Sequence, residues 1–149
     1  MKLGFASDHR GFDLKEKLIK YFNDEYEIID CGTNSTDSCD YPVYAYKLGK
    51  LIVNNEVDFG IAICGSGVGI SIACNKINGV YCAKVSNSEE ALHTRLDNNT
   101  NCVAFGEKTS LEDAISIIKT FISTEYSNLE KHNRRNSLVK DIELGVYNG

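Results

Sequence analysis

The residues best suited to chemistry lie in one segment, "ICGSGVGISIACNK" (Ile63 to Lys76), where a cysteine closes an apolar run and three glycines follow at alternate positions. Gly65, Gly67 and Gly69 permit a tight turn into a helix. Such a turn converges backbone N–H groups on an anion at the positive end of the helix dipole. The anion could be a phosphate, or an oxyanion that exists only during a reaction. A dinucleotide fingerprint needs a glycine where Ile70 stands and an acid about 20 residues further on, where the chain has Val85 and Ser86. A Walker loop needs Gly-Lys-Ser/Thr, which is absent. Cys64 at the lip of the loop favours the transient oxyanion, because a helix N-terminus stabilises the thiolate, the form of cysteine that acts as base or nucleophile. On these residues alone, a buried strand-end cysteine beside glycines chosen for close packing stays open.

The elements that must position this loop can be read from the spacing of apolar residues. "KLGFA", "YEIIDCG", "VDFGIAIC", "GVYCAKV" and "NCVAFG" read as five short strands. Between them, helical faces run through Leu14, Leu18, Tyr21 and Phe22, through Ala45, Leu48 and Ile52, and through Ile70, Ala73, Cys74 and Ile77. Further helices are expected around Ser88 to Leu96 and along Leu111, Ala114, Ile115, Ile118 and Ile122. Strands alternating with helices imply a parallel sheet covered on both faces, a three-layer α/β fold. Pro42 is expected in a turn before a helix. With 149 residues, 42% of them hydrophobic, the chain suits a single domain over 1–149. The tail after about residue 125 is polar, with a weak helical signal at Leu138 and Ile142, and is expected to pack on the main body or on a second subunit.

Composition excludes several classes of partner. A net charge of -5 argues against nucleic acid or an anionic membrane as the main partner. No apolar run approaches the roughly 20 residues that span a bilayer, and the first residues lack the apolar core of a signal peptide, so a cytoplasmic protein is expected. The six cysteines form no C-x-x-C pair, which writes neither a zinc ribbon nor a thioredoxin-type site. In a reducing compartment most of them should be small buried hydrophobes rather than disulfides.

Ligands of parallel α/β sheets bind beyond the carboxyl ends of the strands. That rule selects Ser7, Asp8 and His9, the segment around Asp40 and Tyr41, and Cys64 to Gly69. Four segments, "ASDHRGFDLK", "DCGTNSTDSCDYP", "ICGSGVGISIACNK" and "NNTNCVAFG", resemble the ribose-5-phosphate isomerase B family, which also includes galactose-6-phosphate isomerase subunits. The resemblance runs in order from the first strand to about Arg135. It implies a Rossmann-like five-stranded parallel sheet in a three-layer α/β/α sandwich, a homodimer or dimer of dimers with active sites between subunits, and no metal or organic cofactor.

It also implies roles. Cys64 matches the base that moves a proton between neighbouring carbons of a sugar phosphate through a cis-enediolate. Backbone N–H groups of Gly65, Ser66, Gly67, Val68 and Gly69 match the oxyanion hole, and the Ser66 hydroxyl a proton shuttle between the two oxygens. Ser71 is a weaker candidate, as a serine in a first helical turn is more often a local backbone partner. Asp8 matches an acid that holds sugar hydroxyls, although an aspartate before a helix is also a common cap. His9 matches a phosphate or ring contact, Tyr41 an aromatic against the sugar, and Asn98 a contact to the reacting oxygens. Lys108, Lys131 and Arg135 match phosphate-binding arginines, and Lys108 can come from the adjacent subunit. The two lysines keep the charge and give up bidentate geometry. His132 and Arg134 flank this cluster as second-rank candidates.

The chain departs from the family at Asp97, where many relatives carry a histidine assigned to opening the furanose ring. A carboxylate there can serve as the base, with Asp8 or His9 sharing the work and His93, one helical turn earlier, as a possible partner. The expected activity is interconversion of ribose 5-phosphate and ribulose 5-phosphate. Alternatives are isomerisation of a six-carbon sugar phosphate, allose or galactose 6-phosphate, and sugar-phosphate binding without catalysis.

Overall fold

The computed structural model describes residues 1–149. Strands β1 (Lys2–Ser7), β2 (Glu27–Asp30), β3 (Phe59–Cys64), β4 (Cys82–Lys84) and β5 (Cys102–Gly106) form one sheet in the order β2-β1-β3-β5-β4, every pairing parallel. The connecting helices are α1 (Phe12–Phe22), α2 (Tyr41–Val53), α3 (Val68–Asn75), α4 (Ser88–Asn98) and α5 (Leu111–Ser123), and α6 (Glu130–Glu143) follows. The three-layer α/β/α sandwich read from the spacing is therefore the fold.

The central strands distribute side-chain size by face. Leu3, Phe5, Ile61, Ile63, Val103 and Phe105 point to one side, where α1, α4 and α5 close a core through Leu18, Ala91, Ile117 and Phe121. The opposite face carries Gly4, Ala6, Gly60, Ala62 and Ala104, and α2 and α3 pack there. A Cβ on Gly4 would meet Leu48 Cδ1 at 2.7 Å, and one on Gly60 would meet Ile52 Cδ1 at 2.8 Å. Small residues thus bring α2 down onto the strands, and the β3–α3 turn with it.

Two expected boundaries move. Pro42 is inside the first turn of α2, where its missing N–H costs nothing, rather than in a turn before it. Helix α3 ends at Asn75, so Ile77 packs on the α2/α3 core from the loop that follows. Of the six free cysteines, Cys64, Cys74 and Cys102 are buried, while Cys31, Cys39 and Cys82 are partly exposed.

Candidate active site

Cys64 is the last residue of β3 and is 4% exposed. Its Sγ accepts the Gly67 N–H at 3.2 Å, which fixes the thiol against the turn. The three alternating glycines each meet a different demand. Gly67 has φ +81°, and a Cβ there would lie 2.6 Å from the Phe105 carbonyl carbon, so both conformation and space require glycine. A Cβ on Gly65 would collide with the Arg10 guanidinium, and one on Gly69 would approach the Tyr41 ring to 2.7 Å. The loop is therefore stripped of side chains where Arg10 and Tyr41 close over it.

What remains exposed there is backbone. The N–H groups of Gly65, Ser66 and Gly69 donate to nothing within the chain, whereas Gly67 serves Cys64 and Val68 donates to Ser66 Oγ at 3.1 Å. Three of the five donors expected of the loop are free, and two are already engaged. Ser71 donates to the Val68 carbonyl at 2.7 Å, the local role a first-turn serine ordinarily takes.

Asp8, His9, Tyr41 and Lys108 share this end of the sheet. Asp8 is 5% exposed and its Oδ1 accepts the N–H groups of Arg10 and Gly11 at 3.0 and 3.1 Å, capping the approach to α1. Beside it, the buried Ser7 hydroxyl has no partner. His9 Nδ1 accepts the Cys39 N–H at 3.2 Å, which leaves the neutral ring's proton on Nε2, free to donate outward. Lys108 follows the end of β5 and lines a cleft of about 340 Å³ with Arg10, Lys17 and Glu107. Arg10, which no spacing rule singles out, pairs with Glu107 at 2.9 Å while covering Gly65. Its only signal in the sequence is its place in the loop between β1 and α1.

Asp97, Asn98, Lys131 and Arg135 are elsewhere. Asp97 and Asn98 end α4, which the bond from Arg95 to the Thr100 carbonyl ties to the start of β5. In the β3–β5 register Gly60 pairs Cys102 and Cys64 pairs Gly106, so the start of β5 lies about 13 Å along the strand from Cys64. Helix α6 docks at the same N-terminal end: Asn136 donates to the Asp97 carbonyl at 2.9 Å, and Glu143 accepts from Gly79 N–H and from the Tyr81 hydroxyl. Burial, then the bond to Glu143, pushes the Tyr81 phenol up to about 12. Asp97 does not pair with His93; its Oδ1 is 3.3 Å from His132 Nε2 on α6. Arg134 is tied to Glu130, while Lys131 and Arg135 stay exposed, one helical turn apart. The anticipated residues thus fall into two sets at opposite ends of one sheet.

The family model described as Ribose/Galactose Isomerase matches residues 3–139. The chain belongs to that family. Among its relatives, the Escherichia coli protein named ribose-5-phosphate isomerase B is 38% identical over 144 residues, covering 95% of this chain and 96% of its own. The solved ribose-5-phosphate isomerase B of Clostridium thermocellum superposes with a TM-score of 0.94 at 37% identity, over 99% of this chain and 100% of that one. That of Mycoplasma genitalium, solved with bound ribulose-5-phosphate, gives a TM-score of 0.89 at 30% identity, with 96% of each chain covered. Family membership and the shared layered fold are what these likenesses establish. No helix is long and apolar enough to cross a membrane.

Proposed function

We propose that the protein interconverts ribose 5-phosphate and ribulose 5-phosphate. The observation that carries this reading is Cys64 at the carboxyl end of β3, its sulfur held by Gly67 N–H and followed by the unengaged N–H groups of Gly65, Ser66 and Gly69. As a thiolate, Cys64 takes the proton from C2 of the open-chain aldose, and the electron pair moves through a C1–C2 double bond onto the carbonyl oxygen. The free N–H groups stabilise that oxyanion, each worth about 3 kcal/mol of barrier. The O2 proton passes to O1 by way of the exposed Ser66 hydroxyl, and the Cys64 thiol returns its proton to C1. The product is the ketose, the thiolate is restored, and no electron carrier is needed because the oxidation is internal to the sugar.

The proposed site is completed by a second copy of the chain in a homodimer. Asp97, Asn98, Lys131 and Arg135 cannot reach Cys64 of their own chain from the other end of the sheet. A partner docking its α4–α6 end against the loop brings the two sets together. Helix α6 suits such docking: it has no buried residue, and Leu138, Val139 and Ile142 are exposed. Lys108, at the Cys64 end, then serves its own chain's site with Arg10 beside it. In this arrangement the Asp97–His132 pair opens the furanose ring, the carboxylate orienting an imidazole that exchanges a proton with the sugar, so His132 stands in for the histidine missing at position 97.

The test is formation of ribulose 5-phosphate from ribose 5-phosphate, with allose and galactose 6-phosphates run in parallel. Turnover of the pentose phosphate alone supports the reading. Turnover of only a hexose phosphate, or binding without turnover, overturns it. Asp97→Asn should slow isomerisation by about a hundredfold, the lower end for a general acid–base group. An unchanged rate removes the carboxylate from ring opening.

A further inference from the structure

Cys74, Cys82 and Cys102 have no readable spacing, yet the fold places their sulfurs within 4.8 Å of one another. Cys82 opens β4 and Cys102 opens β5, and the two are register partners on adjacent parallel strands. Cys74, in the last turn of α3, lies over them in the small-residue core. The arrangement is braced: Asn75 accepts the Cys82 N–H and donates to the Cys82 carbonyl, both at 2.8 Å, locking the end of α3 to the start of β4.

We infer that these three sulfurs form a binding site for a thiophilic divalent cation of the zinc class. Three thiolates around one metal, with metal–sulfur bonds of about 2.3 Å, stand roughly 3.8–4 Å apart, so the trio needs only a small contraction. Sulfur ligands without histidine or carboxylate select soft d10 ions over magnesium, calcium or manganese. Charge then favours a divalent ion: three thiolates with a monovalent cation leave two negative charges in a core of alanine, valine and isoleucine, and a divalent ion leaves one. The C-terminal end of α3, where Cys74 sits, is the negative end of a helix dipole and favours a cation. Access runs through Cys82, the partly exposed member, which lines a cleft of about 600 Å³ together with Asn75, Tyr81, Thr94 and Asn98. Water from that cleft supplies the fourth ligand.

The trio lies at the opposite end of α3 from its own chain's Cys64, and metal binding is read directly, without turnover. The purified, reduced, chelator-treated protein is titrated with Cd(II), read by its thiolate-to-metal absorption, and with Zn(II) against a chromophoric chelator. One equivalent of each should bind. Cys64→Ala should bind the same equivalent, and Cys82→Ser should bind on the order of 100-fold more weakly, at least the loss that removing a supporting group produces. Absence of the thiolate band in the parent protein, its loss in Cys64→Ala, or undiminished binding by a Cys82→Ser protein with native circular dichroism each overturns the site. Should Cys82→Ser fail to fold, X-ray absorption of the zinc-loaded parent decides. A shell of three sulfurs at about 2.3 Å supports the site. A nitrogen–oxygen shell refutes it.

Discussion

Helix α3 separates two thiol settings across about 12 Å. At its N-terminal end a single cysteine faces free backbone donors and a turn swept clear of side chains. At its C-terminal end three cysteines face one another. The neighbouring thiols of Cys102 and then Cys82 lower Cys74, and those of Cys74 and then Cys82, with burial, raise Cys102. In the first setting negative charge is stabilised by fixed N–H dipoles, which suits a charge that comes and goes during a reaction. In the second it is shared between thiols with no N–H donor among its partners, which suits a permanent counter-ion. The same residue type serves opposite ends because the helix supplies opposite polarity.

The largest expected effect comes from removing the lone thiol. Cys64→Ala should lower kcat on the order of 10³-fold, measured on the sugar phosphate that the parent turns over, while Cys102→Ala at the other end should leave kcat within a few-fold. Equal losses would erase the distinction between the ends. Mixing tests whether the two ends meet across subunits. Arg135→Ala alone should lose most activity; co-refolded in equal amounts with Cys64→Ala, it should recover about a quarter of the parent rate, because half the dimers are hybrids carrying one intact site of two. No recovery would place both sets in one chain's site.

Glycines sharpen the comparison at smaller scale. Gly67 and Gly145 both have positive φ, at +81° and +72°, but a Cβ at Gly67 meets the backbone of Phe105 while one at Gly145 meets nothing within 4 Å. Gly145→Ala should cost about 1 kcal/mol, the conformational penalty alone. Gly67→Ala should cost about 1–3 kcal/mol more, as strain at an over-determined site, and should abolish turnover, read by denaturant melts and the isomerase assay. The smallest effect concerns the anchor of α6. With the Tyr81 phenol at about 12 in the folded protein and ~10 when unfolded, the stability it contributes is full below pH 10 and lost as pH rises toward 12. Tyr81→Phe should flatten that part of the stability–pH curve.

Much of this is legible in the sequence. The five strands follow from short apolar runs and α5 from its unbroken periodicity, because a two-sided parallel sheet demands both. The glycine turn into α3 is legible from its spacing, whereas the choice between an anion and close packing is not, and each of its three glycines meets a close neighbour. The size alternation of "KLGFAS", "FGIAIC" and "CVAFG" was there to be read, large side chains to one face and small to the other, but apolar identity alone hides it. The partner of Asp97 was not legible: His93 is the helical neighbour by spacing, and His132 arrives only because α6 folds back over the end of α4. Arg10 over Gly65 is likewise a meeting of two loops that share no local pattern.

The sequence by itself determined what neighbours along the chain decide: periodicities of two and 3.6, a turn that only glycine permits, and a thiol at a helix start. Those are interactions across a few residues, and spacing encodes them directly. The tertiary structure decided everything that depends on strand order and helix layering. Strand β4 lies beside β5 and follows α3, which gathers Cys74, Cys82 and Cys102; parallel strands put Cys64 at one end of the sheet and Asp97 at the other. No local pattern carries that information, because a residue's distance from another across the sheet is set by which strands pair, not by how far apart they stand in the chain.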